Sequence, residues 1–231
     1  GDGVNLDTVA IQTAIDKCSE CGGGTVYFPK GVYLSGTLEL KSYVTLDLSP
    51  TAVLLASPDK KDYKGVAEFE DFIGSSYFMI GNNIEKFKIT GQGIIDGNGP
   101  EFWTDEVINN VPNLGPIVKP KSYRPRALLY ITDSRDIHFT DITFKDAPCF
   151  TIWILGCDRI NINDIVIDNL QHGPNSDGID VDCCSNVHIS NCHISAGDDC
   201  IALKSDAKRL GKKKACEYIT VTNCTFSSRA C

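Results

Sequence analysis

The sequence predicts an all-β fold, a parallel β-helix whose stacked coils are closed at one end by an N-terminal helix. Three observations favour it. Apolar residues follow a helical period only before residue 22, short alternating segments come after it, and a five-residue pattern recurs along the rest of the chain. An antiparallel sandwich or barrel also has many short strands, but Asn-Gly and Asp-Gly hairpins between alternating segments are scarce.

The predicted helix has its N-cap at Asp7 or Thr8 and ends at the glycine run 22–24. Its apolar residues fall on one face at helical spacing, and they are Val9, Ala10, Ile11, Ala14, Ile15 and Cys18. In a solenoid, such a helix would cover the apolar surface and the strand edges of the first coil.

Strands are predicted at residues 25–28, 37–40 and 44–48, before the repeated pattern begins. The pattern is apolar, polar, apolar, polar and turn, and its copies start at Phe87, Ile137, Ile160, Val187 and Ile219. Coils of about 20 to 30 residues with short strands and polar turns are typical of a solenoid. The gap after the first copy predicts an inserted loop at 97–126. The expected domain is one β-helix over 1–231, truncated at its C-terminal end.

Charge and hydropathy narrow the choice of partners. The formal net charge is −8, whereas phosphate backbones select basic surfaces, so a general nucleic-acid binder is not expected. No segment approaches the roughly 18 consecutive apolar residues of a membrane span, and we expect a monomer without membrane partners. A polyanionic substrate would need a local basic patch. One run of basic residues could form this patch or could be a solvated loop, and it contains Lys204, Lys208, Arg209, Lys212, Lys213 and Lys214.

Eleven cysteines form an odd set, so at least one lacks an intrachain partner. The only C-x-x-C motif, Cys18 to Cys21, has no second pair at zinc-finger spacing, so neither a metal site nor another cofactor is expected. Cys192 and Cys224 hold equivalent places in the repeat, which predicts buried stacked thiols. For the others we expect some disulfides, and a secreted or periplasmic location.

Aspartates concentrate in two motifs. Asp177, Asp180 and Asp182 share one window, and Asp198 and Asp199 follow about one coil later. Residues one coil apart lie at a strand spacing of about 4.8 Å, so these carboxylates are predicted to share one patch. Grouped carboxylates repel one another, which raises the pKa of at least one member. The spacing alone is equally compatible with general acid and water-activating groups and with calcium binding or turn capping.

Motifs throughout the chain resemble glycoside hydrolase family 28, the polygalacturonase group. The most specific are Asn175-Ser-Asp-Gly178 and Gly197-Asp-Asp-Cys-Ile-Ala-Leu-Lys-Ser205. Others are Gly1-Asp-Gly3, Ala10-Ile-Gln-Thr-Ala-Ile15, Gly22-Gly-Gly-Thr-Val-Tyr-Phe-Pro29, Gly97-Asn-Gly-Pro-Glu-Phe-Trp103, Arg124-Pro-Arg126 and Ala147-Pro-Cys-Phe-Thr-Ile-Trp153. The resemblance implies a right-handed parallel β-helix that hydrolyses α-linked galacturonate or related sugars of pectin with inversion.

The resemblance also implies roles for individual residues. Asp198 would be the general acid that protonates the leaving oxygen, while Asp177 and Asp199 would orient and deprotonate the attacking water. Carboxylates grouped so closely would suggest retention by the distance rule, so inversion rests on the resemblance. The candidate substrate-binding residues are Asn175, His172, Lys204 and Arg229.

Several of these side chains have an alternative interpretation. Lys204 could tune the aspartates or form a turn salt bridge, and His172 could be an exposed loop residue. Trp103 and Trp153 could stack on sugar rings or belong to the core.

One departure from the family pattern concerns specificity. The family commonly has Gly-His-Gly after the last repeat, whereas this chain has Arg229-Ala-Cys231. A guanidinium can hold a carboxylate but cannot tune the acid as an imidazole does, so we expect a preference for a modified or mixed pectic substrate. A catalytically silent carbohydrate-binding β-helix and a pectate lyase-like enzyme remain open as other functions.

Overall fold

A computed structural model describes residues 1–65, 76–111, 115–206, 210–212 and 214–229. The predicted right-handed parallel β-helix is confirmed: three sheets run along the solenoid, and strands within each sheet pair in parallel. Each coil contributes one strand to each sheet over most of the length. No helix in this described part is long and apolar enough to cross a membrane.

The three sheets differ in length. The eight-stranded sheet contains β1 (Asp2–Leu6), β3 (Gly31–Ser35), β6 (Ala52–Ala56), β9 (Ile94–Asp96), β14 (Thr143–Lys145), β17 (Val166–Asp168), β20 (His193–Ala196) and β23 (Thr225–Ser228). The seven-stranded sheet contains β2 (Gly24–Phe28), β5 (Val44–Leu48), β8 (Glu85–Gly91), β13 (Arg135–Thr140), β16 (Asp158–Asn163), β19 (Ser185–Ser190) and β22 (Glu217–Thr222). The six-stranded sheet contains β4 (Leu38–Glu39), β7 (Tyr77–Asn82), β12 (Ala127–Thr132), β15 (Phe150–Leu155), β18 (Ile179–Asp182) and β21 (Ile201–Lys204).

The five copies of the repeated pattern all fall on the seven-stranded sheet, in one continuous register. The last residue of every copy has a left-handed backbone, and these residues are Gly91, Asp141, Asp164, Asn191 and Asn223. Gly, Asp and Asn tolerate that conformation, so the pattern carries its own turn signal.

The core is a set of apolar columns that run along the solenoid. Ile162 and Ile189 are fully buried in one such column, as predicted. Val221 continues the column in register with Ile189, as predicted, although 40% of it is exposed. The described part of the chain has no further coil over β22, and an apolar residue in this position therefore keeps an uncovered side.

Helix α1 (Thr8–Glu20) closes the first end, and Asp7 is its N-cap, although the Asp7 side chain makes no capping hydrogen bond. The helix buries only Ile11 and Ile15, while Ala10, Ala14 and Val9, which is 80% exposed, face outward. The Gln12 side chain accepts a hydrogen bond from the Glu39 amide (2.8 Å) and donates one to the Glu39 carbonyl (3.0 Å). These bonds satisfy edge backbone groups of β4, as expected of a cap.

The region 97–126 is more structured than the predicted loop. It contains an antiparallel hairpin of β10 (Trp103–Val111) and β11 (Gly115–Pro120), preceded by a 3₁₀ turn (Gly99–Phe102); another 3₁₀ turn spans Lys60–Asp62. The hairpin lies inside the insertion and does not link copies of the repeat, so the solenoid is uninterrupted.

No disulfide joins any two of the ten cysteines in the described residues, so the expected disulfides are absent from this part of the chain. Cys192 is buried and Cys224 is partly buried beneath it in the next coil, which agrees with the predicted stack of thiols. Cys231 lies outside the described residues. The cysteines here act as small apolar residues of the core and its edges.

Candidate active site

The two aspartate motifs lie at the same corner of consecutive coils. Residues 175–178 connect β17 to β18, and residues 197–200 connect β20 to β21. The Gly178 amide donates to the Asp199 carbonyl (2.8 Å), and the Thr151 amide donates to the Asp177 carbonyl (2.9 Å). Asp177 and Asp199 therefore occupy neighbouring positions on adjacent coils, as the spacing predicts.

Glycines allow these corners to approach closely. A Cβ at Gly178 would lie 2.4 Å from the Cys200 carbonyl oxygen, and a Cβ at Gly197 would lie 2.4 Å from Ser176 Oγ. Neither position accepts a side chain unless the backbone moves. The glycine in each motif thus sets the distance between the aspartate-bearing turns.

A buried amide holds the turn that carries Asp177. The Asn169 side chain accepts from the Ala147 amide (2.9 Å) and donates to Thr151 Oγ1 (2.7 Å) and to the Ser176 carbonyl (3.2 Å). The Thr151 hydroxyl in turn donates to the Asp177 carbonyl (2.7 Å). These bonds fix the backbone on both sides of the carboxylate.

Lys204 enters the same cluster from β21. Its ammonium donates a short hydrogen bond to Asp180 Oδ1 and lies 3.8 Å from Asp177 Oδ2. Asp180 is fully buried, and its second oxygen has no hydrogen-bond partner among the described residues. Of the alternatives for Lys204, the structure supports an ion pair with the aspartates.

Burial and repulsion shift the carboxyl pKa values upward. Burial raises the pKa of Asp177, and the neighbouring Asp180 and Asp198 charges raise it further, while Lys204 opposes the shift. Burial also raises the pKa of Asp180, against the attraction of Lys204. The pKa of Asp198 is raised by burial and by Asp199. The corner therefore retains protons at pH values where isolated aspartates are ionised.

Arg229 lies beside this cluster at the end of the described chain. Its charge lowers the pKa of Asp198, opposing burial, and its Nη1 donates to the Gly115 carbonyl (3.1 Å) of the hairpin. The neighbouring Ser228 hydroxyl donates to the Asp198 carbonyl. Arg229 thus connects the acid motif to the hairpin, and Ala230 and Cys231 lie outside the described residues.

The structure gives His172 and Asn175 local partners. The His172 ring packs edge-on against Trp103 with 5.8 Å between ring centroids, and its carbonyl accepts from the Val118 amide (3.1 Å). Asn175 is exposed, has a left-handed backbone, and accepts from Arg124 (2.8 Å). None of these contacts joins either side chain to the carboxylates.

Both tryptophans are buried, so a sugar-stacking role is not supported in this structure. Trp103 donates its indole N–H to the Pro148 carbonyl (3.0 Å). Trp153 lies in an aromatic stack on the outer side of the six-stranded sheet, 4.7 Å from Tyr130, which itself stacks on Tyr77 at 4.3 Å. The stack leads toward the corner, where the Lys204 ammonium lies 4.7 Å from the Phe150 ring centroid.

The predicted basic patch is only partly described. Lys212 pairs with Asp133 (3.1 Å), and Lys214 donates to the Gly156 carbonyl (2.7 Å). Lys208, Arg209 and Lys213 lie outside the described residues. Within the described residues, no group of three His, Cys, Asp or Glu side chains is arranged to hold a metal ion.

The profile named "Glycosyl hydrolases family 28" matches residues 18–228. The chain belongs to this family. A probable polygalacturonase from Vitis vinifera is 34% identical over 217 residues, which cover 89% of this chain and 42% of that protein. This chain spans about half the length of the curated relatives it matches.

Solved structures share the fold of this family 28 chain. An exopolygalacturonase from Thermotoga maritima superposes with a TM-score of 0.81 at 24% identity, covering 100% of this chain and 58% of that one. A surface adhesin of Streptococcus pneumoniae superposes with a TM-score of 0.65 at 21% identity, covering 97% of this chain and 54% of that one. The solenoid is thus found in an enzyme and in an adhesin, and function must be argued from the site.

Three positions of the site were missed from the sequence. Asp180 was recognised only as part of an acidic window, although it is the direct partner of Lys204. Asn169 has no sequence signal of its own beyond an amide next to a strand end. Arg124, noted only within a family motif, is buried and donates to the Pro148 and Pro174 carbonyls (3.1 and 2.5 Å), which supports the turn below Asp177.

Proposed function

We propose that the protein containing this chain hydrolyses glycosidic bonds in a pectic polysaccharide, as a monomer acting outside the cytoplasm. The observation that carries the proposal is the group of four aspartates, Asp177, Asp180, Asp198 and Asp199, at one corner of two adjacent coils. Grouping four carboxylates, two of them buried, costs free energy, and glycoside hydrolysis is a chemistry that uses such groups.

In this proposal Asp198 is the general acid. Its raised pKa keeps a proton available for the leaving glycosidic oxygen, which must depart as a hydroxyl group. Asp199 takes the proton of the attacking water, and Asp177 orients that water. Because burial also raises the pKa of Asp177, this carboxyl is better suited to orienting the water than to being its sole base. Inversion of the anomeric centre remains part of the proposal.

The general acid can be identified by changing the leaving group. We expect Asp198→Asn to lose most activity on pectic oligosaccharides and to retain far more on a galacturonide with an activated aryl leaving group, which needs no protonation. The corresponding Asp177→Asn and Asp199→Asn variants should lose activity on both substrates. Rescue of Asp177→Asn alone by the activated substrate would reassign the acid to Asp177.

The reaction class is tested on the full-length protein. Release of new reducing ends from pectic substrates in the presence of a chelator, without an unsaturated product, is expected of a hydrolase and not of a calcium-dependent lyase. Proton NMR of the first product should show the anomer opposite to that of the substrate. Binding of pectic fragments without any new reducing end would favour a silent carbohydrate-binding β-helix.

A further inference from the structure

The ammonium of Lys204 is occupied by carboxylates of its own chain. It donates to Asp180 Oδ1, lies 3.8 Å from Asp177 Oδ2, and sits 4.7 Å from the Phe150 ring centroid. Its side chain is only 35% exposed. A lysine held on two sides by buried acids and on a third by an aromatic ring has little capacity left for a sugar carboxylate.

The side chain of Asp180 contacts Lys204 and has no other hydrogen-bond partner among the described residues. It is fully buried, one oxygen is bonded to Lys204, and the other has no hydrogen-bond partner among the described residues. A buried carboxylate is costly unless it is paired, so Asp180 and Lys204 depend on each other. Their shared neighbour is Asp177, whose Oδ1 also has no hydrogen-bond partner among these residues.

We propose that Lys204 and Asp180 form a positioning pair that acts through Asp177, and that Lys204 does not contact the substrate. The inference rests on the proposed function, in which Asp177 orients the attacking water. The fixed ammonium holds the Asp177 carboxylate in place, and Asp180 fixes the ammonium. Neither residue touches the reacting atoms.

The charges around Asp177 give the pair a measurable effect. Asp180 faces it from β18, which follows the Asp177 turn, Asp198 and Asp199 face it from the next coil, and Lys204 faces it from β21. From the preceding coil comes Cys149, whose pKa burial raises to about 11, so this thiol is neutral near pH 7. Lys204 favours the ionised form of Asp177, whereas Asp180 disfavours it.

Two single variants of the full-length protein should shift the pH profile in opposite directions. Lys204→Met removes the cation, raises the pKa of Asp177, and should move the acidic limb of kcat/KM upward by about one pH unit or more. Asp180→Asn removes a repelling charge and should move that limb downward by about one unit. The double variant should fall between them, and Lys204→Arg should restore the wild-type limb.

Lys41 provides a matched control. It also lies between two carboxylates, at 3.9 Å from Asp16 and 3.7 Å from Glu39, but at the helix-capped end of the solenoid. Lys41→Met should leave the pH profile unchanged. This result would show that the loss of a lysine between two acids does not by itself move the acidic limb of kcat/KM.

Two outcomes of the kinetic measurements would overturn the inference. A several-fold rise in KM for uronic acid oligomers in Lys204→Met, with an unmoved acidic limb, would make Lys204 a substrate contact. Unmoved acidic limbs in both single variants would show that the pair does not act on Asp177.

If the wild-type protein releases no reducing ends, the proposed function fails, and the pair is then tested without a measurement of activity. Carboxyl carbon-13 NMR, assigned with Asp177→Asn, should then show opposite shifts in the Asp177 titration, and identical titrations would refute the pair.

Discussion

Replacing Asn169 by alanine should weaken both the fold and the corner that carries Asp177. The Ala147 amide loses its acceptor in a buried setting, at a cost of about 1–3 kcal/mol. The Thr151 hydroxyl and the Ser176 carbonyl keep other partners, so each adds only the net value of one hydrogen bond, about 1 kcal/mol. Together these terms predict a loss of about 3–5 kcal/mol in the free energy of unfolding.

A loss of that size is measurable as a lower melting temperature. At about 2–4 °C per kcal/mol for a chain of this length, Asn169→Ala should melt roughly 6–20 °C below the wild type. Asn161→Ala is the control, because Asn161 is half-buried on the outside of the seven-stranded sheet and should shift stability by at most about 0.5 kcal/mol. Amide exchange at Ala147 should accelerate in the first variant only. Equal melting temperatures for the two variants, with Ala147 still protected, would refute the reasoning.

Asp198→Asn should lower turnover of a pectic substrate by about 10²- to 10⁴-fold with a nearly unchanged dissociation constant, and full turnover would refute the acid role. Arg229→Gln removes a charge that lowers the pKa of Asp198, so the basic limb of kcat should move to higher pH, where the acid now stays protonated. A shift to lower pH would contradict the sign. Gly178→Ala forces a Cβ to within 2.4 Å of the Cys200 carbonyl, and activity should fall with a destabilisation of about 1–3 kcal/mol, measured by thermal melting. The full-length enzyme should hydrolyse a rhamnogalacturonan or a short oligogalacturonide faster than long unsubstituted polygalacturonate, and equal reducing-end rates would contradict this preference.

The coil pattern was predictable because its signals are local. Alternation of apolar residues sets which side chains face inward, and the Gly, Asp or Asn that ends each copy specifies a left-handed turn. The exposure of Val9 and of Val221 was not predictable, since exposure depends on whether another element covers the residue. The hairpin within 97–126 was missed for a similar reason. Its strands β10 and β11 pair with each other and do not follow the spacing of the repeated pattern.

The aspartate patch was predictable from spacing, because one coil of sequence returns the chain to the same corner. The Lys204–Asp180 bond was not, since it depends on which way two side chains turn across neighbouring strands. Asn169 was equally hidden, because a buried amide that bonds three backbone or hydroxyl groups has no characteristic neighbours in sequence.

The uncovered edges of β21, β22 and β23 have a consequence for biosynthesis. In the described chain these strands end their sheets, while α1 has already closed the opposite end. Within this chain, the capping helix leaves the ribosome before the coils that follow it, and these coils emerge in the order in which they stack, each one serving as a template for the next. At every stage of translation the newest coil displays open backbone hydrogen-bonding groups and apolar side chains, as Val221 and Phe226 do in the last described coil. An open strand edge is a template for pairing with another chain, so chaperones that shield this growing edge would protect nascent chains from joining one another.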